Sequence, residues 1–140
     1  TANIEFVRLN ELSHVVTILD SQEDIEKYYK KFNIFVLTSI SESCPNVLFE
    51  AMLSKCLCVV SRGSNKDRFI KEGFNGFEYD GTDQMLNEKL RLAIKKLEKQ
   101  SVDSVLNNAQ NYVLENFSIN NMVNSYSRLY NHIYEQARFK

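Results

Sequence analysis

Proline, cysteine and long apolar runs are all scarce in this chain, and each scarcity narrows what it can be. No apolar run approaches the ~20 residues that a membrane-spanning helix needs. Thr1 opens no signal-peptide pattern. Net charge is close to zero, −1 from 17 basic and 18 acidic residues. The two signs are interspersed, so the basic stripe of a nucleic-acid binder is missing, as is the basic amphipathic surface that would indicate membrane contact. The cysteines are Cys44, Cys56 and Cys58, an odd number without metal-ligand spacing. Cys56 and Cys58 fall on one face of a predicted strand and do not pair. All three are expected as small buried hydrophobes in a reducing cytosol, with no metal site. Pro45 is the single proline. Internal repeats, low-complexity tracts and linkers are absent.

What remains is ordinary globular sequence: 140 residues, 44% hydrophobic and 25% charged, enough for one domain. The pattern is α/β first and helical later. Residues 3–12 lean toward a helix, and Val15–Leu19 reads as a short buried strand. Ile25, Tyr28, Tyr29 and Phe32 form a helical stripe. Strands are expected over 34–39 and 57–61, with a helix over 45–54 between them. Phe69-Ile70 reads as a short helix ended by Gly73, and Phe77–Tyr79 as a last short strand. Two helices follow, with stripes Leu86, Leu90, Ala93, Ile94, Leu97 and Val102, Val105, Leu106, Ala109, Val113. Ser118 caps a final helix with the strongest stripe, Ile119 through Ile133. This predicts a Rossmann-like parallel sheet with flanking helices and a helical C-terminal tail.

Chemistry concentrates between Glu42 and Glu50, which are separated by seven residues. An apolar run ends just before Glu42, a Pro-started helix carries Glu50, and a second apolar run follows. An open parallel sheet presents a ligand-binding loop in this way, at the C-terminal end of a strand. With Pro45 at the first helical position and Ser43 or Cys44 as the cap, the N–H groups of Asn46, Val47 and Leu48 lack intrahelical partners. Those groups and the helix dipole suit phosphate. Glu50 lies roughly 7–8 Å up the helix from Pro45, with Glu42 on the other side of the tip. A nucleoside diphosphate sugar fits: diphosphate in the middle, hydroxyls at both ends. The plain alternative is a loop-closing Glu42 and a solvated Glu50, because glutamates at this spacing recur by chance. The strand, helix and strand around them favour the ligand reading. His14 and His132 are isolated and read as structural or solvent-facing. Arg62, Lys66 and Arg68 share one loop, with solvation as the default.

The run Phe35-Val36-Leu37-Thr38-Ser39 followed by Glu42-Ser43-Cys44-Pro45-Asn46-Val47-Leu48-Phe49-Glu50-Ala51-Met52 resembles the donor-site signature of family 4 glycosyltransferases of the GT-B fold. Gly73-Phe74-Asn75-Gly76-Phe77 is similar to that family's turn before its last strand, and Glu115–Ser118 with Tyr126 and Leu129-Tyr130 to its C-terminal helix. The resemblance covers about residues 14–135, with the motifs in family order. It implies that Glu50 binds the ribose hydroxyls and Glu42 the hydroxyls of the transferred sugar. It implies that backbone amides at Ser43, Cys44, Asn46 and Val47 hold the diphosphate. More loosely, it puts Leu19 and Asp20 near the base. Such enzymes usually retain anomeric configuration and need neither cofactor nor metal at the diphosphate. Departures from the family pattern are Thr38, Ser43, Lys55, Leu57 and Arg68. The family's Arg/Lys pair, its glycine-rich loop and its N-terminal acceptor domain have no counterpart in this sequence. The chain therefore reads as a single C-terminal nucleotide-sugar-binding domain, truncated on its N-terminal side.

The expected function is donor binding within a retaining glycosyltransferase that moves a sugar to a hydroxyl acceptor. The alternatives are a non-catalytic sugar-nucleotide-binding module, a sugar-nucleotide epimerase on the same architecture and a flavodoxin-like scaffold with an interaction role. The expected partners are a nucleotide sugar and the missing acceptor domain, not nucleic acid. The expected location is cytoplasmic, with the cytosolic face of a membrane as the family's common workplace.

Overall fold

A computed structural model describes residues 2–138. Its centre is a three-stranded parallel sheet in the order β1-β2-β3, formed by Ile34–Leu37, Leu57–Ser61 and Phe77–Tyr79. Ile34 aligns with Leu57 and Leu37 with Val60; Val59 then aligns with Phe77 and Ser61 with Tyr79. Every residue of β2 is buried, as expected of a strand covered on both faces. Its side chains alternate between two cores. Cys58 and Val60 join Leu48, Ala51, Met52, Ala109 and Val113 on one face, whereas Leu57 and Val59 meet Phe77, Tyr79, Ala93 and Val105 on the other. The helices responsible are α2 (Glu26–Tyr29), α3 (Asn46–Leu53) and α5 (Asp103–Asn116) on the first side, with α4 (Asp83–Glu98) and the start of α5 on the second. Parallel strands with helices on both faces bear out the α/β expectation.

Local chemistry explains most boundaries. The Thr82 hydroxyl accepts the Met85 amide and caps α4, whose first turn carries Asp83 and whose last carries Lys95 and Lys96. The carboxyl end of α3 is a Schellman turn: the Cys56 amide reaches Ala51 O at 2.9 Å and the Lys55 amide reaches Met52 O at 3.1 Å. Lys55 thereby occupies the left-handed position (φ 58°) that glycine usually fills. The Ser118 hydroxyl accepts the Asn121 amide at 3.3 Å and starts the last helix, α6 (Ile119–Arg138). The first helix, α1, spans Ala2–Leu9, in line with the helical lean of that region.

Four sequence expectations need correction. Val15–Leu19 forms no strand; it follows a 3-10 turn at Leu12–His14 as irregular chain with exposed side chains. A strand requires a neighbour's hydrogen-bond ladder, and β1 pairs only with β2 among the described residues. Phe69-Ile70 is not helical. Both amide groups around it are held by side chains instead: Asn65 exchanges two bonds with Ile70, 2.8 Å to its N–H and 2.9 Å to its carbonyl, and Asn75 donates to Phe69 O at 3.0 Å. Short polar side chains outcompete a helical turn in this way. Pro45 has extended backbone (ψ 95°) and stands just before α3 rather than inside it. Cys44 is exposed, while Cys56 and Cys58 are buried; the loop before Pro45 has no core to enter.

Candidate functional site

The C-terminal ends of β1 and β2 lie side by side because the strands are parallel and paired. The loop after β1 carries Glu42. The half-buried Glu42 donates its backbone N–H to Gly63 O, in the 3-10 turn Arg62–Ser64 that follows β2, at 3.2 Å. Pro45 then seats α3, with no side chain from Ser43 or Cys44 capping it. The Leu48 amide turns back to Pro45 O at 2.9 Å, so it is not free as the sequence suggested. Asn46 and Val47 are exposed at the tip, together with Ser43 and Cys44, and among the described residues no hydrogen bond engages their amides. The tip is thus an open cluster of backbone donors at the positive end of a helix.

Glu50, exposed on the flank of α3, lines an open cavity of about 600 Å³ between α2, α3 and α5. Tyr29, Lys30, Lys55 and Gln110 share its wall. Tyr29 is the buried member. Its ring packs edge-on to Phe35 and Phe32 at 5.9 and 6.4 Å between centroids. Its phenol is pushed up to about 12, first by burial and then by the neighbouring Glu50 carboxylate. A neutral phenol near a carboxylate is a potential hydrogen-bond donor to it. Sequence reading placed Tyr29 only in an apolar stripe; its hydroxyl was the available signal, since buried tyrosines need a partner for it.

The expected base-side segment is linked to the same helix. Tyr28 donates to the Gln22 carboxamide oxygen at 2.8 Å, and Gln22 donates to Asp20 O at 2.9 Å. Leu19 and Asp20 are exposed and irregular, tethered to α2 rather than carried at a strand end. The cavity that holds Glu50 is lined by neither Glu42, the helix-tip residues, Leu19 nor Asp20. The structure therefore does not gather the predicted residues into one pocket: Glu42, the tip residues and Glu50 follow α3 and the loop before it, and Leu19 and Asp20 are tied to α2.

The remaining candidates separate. Arg62 pairs with Glu78 at 3.3 Å, and Lys66 donates to Ser41 Oγ at 2.6 Å, beside Glu42. Arg68 is exposed, with φ 55°. His14 and His132 lie far apart in sequence and contact only Glu11 O and Gln136 respectively. Among the described residues no three His, Cys, Asp or Glu side chains converge as a metal site, and no helix is long and apolar enough to cross a membrane.

Comparison with known proteins bears on this arrangement. The family profile described as Glycosyl transferases group 1 matches residues 5–112. An Escherichia coli protein named UDP-Gal:alpha-D-GlcNAc-diphosphoundecaprenol alpha-1,3-galactosyltransferase is 27% identical over 115 residues, 81% of this chain and 29% of its own length. The Vi polysaccharide biosynthesis protein VipC/TviE of Salmonella typhi is 28% identical over 114 residues, 79% of this chain and 20% of its own. The chain thus spans less than a third of either curated relative. Among solved structures, Anabaena HepE in complex with UDP superposes with a TM-score of 0.84 at 20% identity, over 94% of this chain and 36% of that one. A glycosyltransferase from Rickettsia africae gives 0.82 at 21% identity, over 92% and 35%. The profile match extends over most of the chain and the structural matches share its sheet and helices, so the chain belongs to the glycosyl transferases group 1 family and has the α/β architecture of one half of a GT-B glycosyltransferase.

Proposed function

We propose that this chain is the donor-binding part of a retaining glycosyltransferase, which moves a sugar from a nucleoside diphosphate to a hydroxyl acceptor. The observation that carries this reading is the placement of two carboxylates on either side of an open helix tip. Glu50 stands in a cavity along the helix flank and Glu42 in the loop before the tip. Glu50 takes the ribose hydroxyls, Glu42 takes hydroxyls of the transferred sugar, and the amides of Ser43, Cys44, Asn46 and Val47 take the diphosphate between them. Leu19 and Asp20, tied to α2 through Gln22 and Tyr28, lie on the base side. Names of similar proteins support a uridine nucleotide: the E. coli relative is named for a UDP-Gal donor, and HepE has been solved with UDP and with UDP and glucose.

In this reading the glutamates position the donor and do not act as acid and base. The energetic demand of transfer is to stabilise charge growing on the departing diphosphate. The helix tip meets part of that demand. The basic pair that meets the rest, and the acceptor site, come from chain preceding this domain. No resident cofactor or metal is required. The reaction belongs in the cytosol, where nucleotide sugars are available, with a membrane-face location open to the whole enzyme.

The test uses the full-length enzyme. Glu50→Gln weakens UDP and UDP-sugar alike, whereas Glu42→Gln spares UDP and lowers turnover. A hydrogen bond to a charged group is worth roughly 1.5–3 kcal/mol, so each loss is about tenfold or more. Calorimetric titration with UDP, run beside transfer kinetics, reads both effects. Negligible change in both variants would make the two glutamates structural. UDP binding without any transfer would favour a non-catalytic module.

A further inference from the structure

The loop from Ser39 to Glu42 leaves the sheet without a hydrophobic anchor, since Ile40 is 94% exposed. It is nonetheless held at every residue by the turn that closes β2. The Ser61 hydroxyl donates to Ser39 O at 2.5 Å while accepting the Ser64 amide at 3.1 Å. The Ser64 hydroxyl stands 3.0 Å from the same carbonyl and 2.8 Å from Ser61 Oγ. Lys66 donates to Ser41 Oγ at 2.6 Å, and Gly63 O accepts the Glu42 amide at 3.2 Å. At Ile40 the contact is steric: a Cβ on Gly63 would lie 1.9 Å from Ile40 O. Ser61 and Ser64 are both buried, so this is internal structure and not surface decoration.

We propose that the turn Ser61–Lys66 is a brace whose function is to position Glu42, making Ser61, Gly63, Ser64 and Lys66 positioning residues for the sugar half of the donor. The proposal rests on the reading of Glu42 as a sugar-binding carboxylate. Its physical basis is that a carboxylate selects among hydroxyl patterns only when its own position is fixed; an error of about 1 Å at a positioning group costs on the order of 10²-fold in rate. Buried hydroxyls donating to one carbonyl supply that fixity. Glycine is demanded at 63 because any side chain there would push the Glu42 loop outward. Glu50, on α3, lies outside the brace, whereas Ser43 and Cys44 follow Glu42 directly. The brace therefore acts most on the sugar, less on the diphosphate and least on the ribose.

The test compares wild type, Ser61→Ala/Ser64→Ala, Gly63→Ala, Lys66→Met and Ser61→Thr in the full-length enzyme. Two readouts are taken: amide hydrogen exchange over residues 38–44, and calorimetric titration with UDP, UDP-glucose and UDP-galactose. The double alanine variant and Gly63→Ala are expected to exchange faster over 39–42 and to lose about tenfold in preference for UDP-sugar over UDP, with UDP affinity falling far less than that of the UDP-sugars. Ser61→Thr keeps the hydroxyl on a residue suited to strands and is expected to behave as wild type. Lys66→Met changes only an exposed contact and cannot unfold the core; it is expected to show a smaller shift of the same kind, which keeps the proposal testable if the buried variants fail to fold. Unchanged exchange overturns the brace. Faster exchange with UDP and UDP-sugars weakened equally makes the turn merely structural and overturns the positioning role. Faster exchange with no loss of sugar preference, when Glu42→Gln also has none to lose, locates the failure in the sugar-site reading of Glu42.

Discussion

Tyr29 shows how a site is organised one atom at a time. Its ring is core, packed on Phe35 and Phe32, and its hydroxyl faces the same cavity as Glu50, whose charge helps to raise the phenol. Tyr29→Phe keeps the packing and removes the donor, so UDP affinity is expected to fall by about three- to tenfold with little change in thermal stability at neutral pH; calorimetry beside a melting curve checks both. The sign of the pH effect follows from the raised phenol. The folded chain holds this proton more tightly than the unfolded chain, whose tyrosine titrates near 10.0. The stabilisation is therefore complete below about pH 10 and lost as pH climbs toward about 12. Denaturation at pH 9 and pH 11.5 should show a smaller alkaline loss in Tyr29→Phe than in wild type. The placement of Glu42 in the loop after β1 and of Glu50 on α3 was legible in the sequence because their spacing sits inside a strand–loop–helix frame. Tyr29 was not, because helical periodicity places a ring on a face but does not say what its hydroxyl meets.

Among the elements, those fixed by burial on two sides were the easiest to read. β2 matches its predicted limits, 57–61, because a continuous apolar run bounded by polar residues has few other solutions. Val15–Leu19 has the same composition and no strand, because composition is blind to whether a partner strand is present. The segment after Arg68 escaped for another reason: two asparagine side chains supply donors and an acceptor that a helix would draw from its own backbone, and a rule based on apolar spacing ignores them. The end of α3 offers a measurable case. Lys55 holds a left-handed conformation at a Schellman position, a strain of roughly 1–2 kcal/mol for a residue with a Cβ. It recovers a little through a 3.0 Å bond to Asn107 on α5. Lys55→Gly is expected to raise stability by about 1 kcal/mol, read as a higher denaturant midpoint at unchanged slope.

At the scale of the molecule, β1 and β3 are both edges of the sheet among the described residues, and side-chain cover is fuller at β3, where Phe77 and Tyr79 are buried, than at β1. Val36 is 37% exposed in the middle of β1, and a parallel strand with one bare edge leaves a row of unpaired backbone groups. A single helix tip supplies only some of the contacts a diphosphate needs. Residues 1–140 alone are accordingly expected to bind UDP at least tenfold more weakly than the full-length enzyme and to transfer no sugar. Titration of both forms with UDP, with a transfer assay on each, decides this; transfer by the short form would refute the proposed division of labour.

None of the twenty residues of α6 is buried, although Met122, Tyr126, Leu129, Tyr130 and Ile133 line up along one side. Its helicity in this chain is therefore left to intrinsic propensity, and the sequence is rich in asparagine, serine, tyrosine and β-branched residues, which are weak helix formers. A helix of that composition and length is marginal in water. The cooperative unit ends near Phe117, whose ring stacks on Phe49 at 4.3 Å. Heating residues 1–140 should accordingly give two events by circular dichroism: a gradual loss of ellipticity at low temperature as α6 passes through a helix–coil equilibrium, then one sharp transition for the rest. Amides beyond Ser118 should exchange orders of magnitude faster than those of β2, and in the full-length enzyme a partner surface laid along the stripe would merge the two transitions into one.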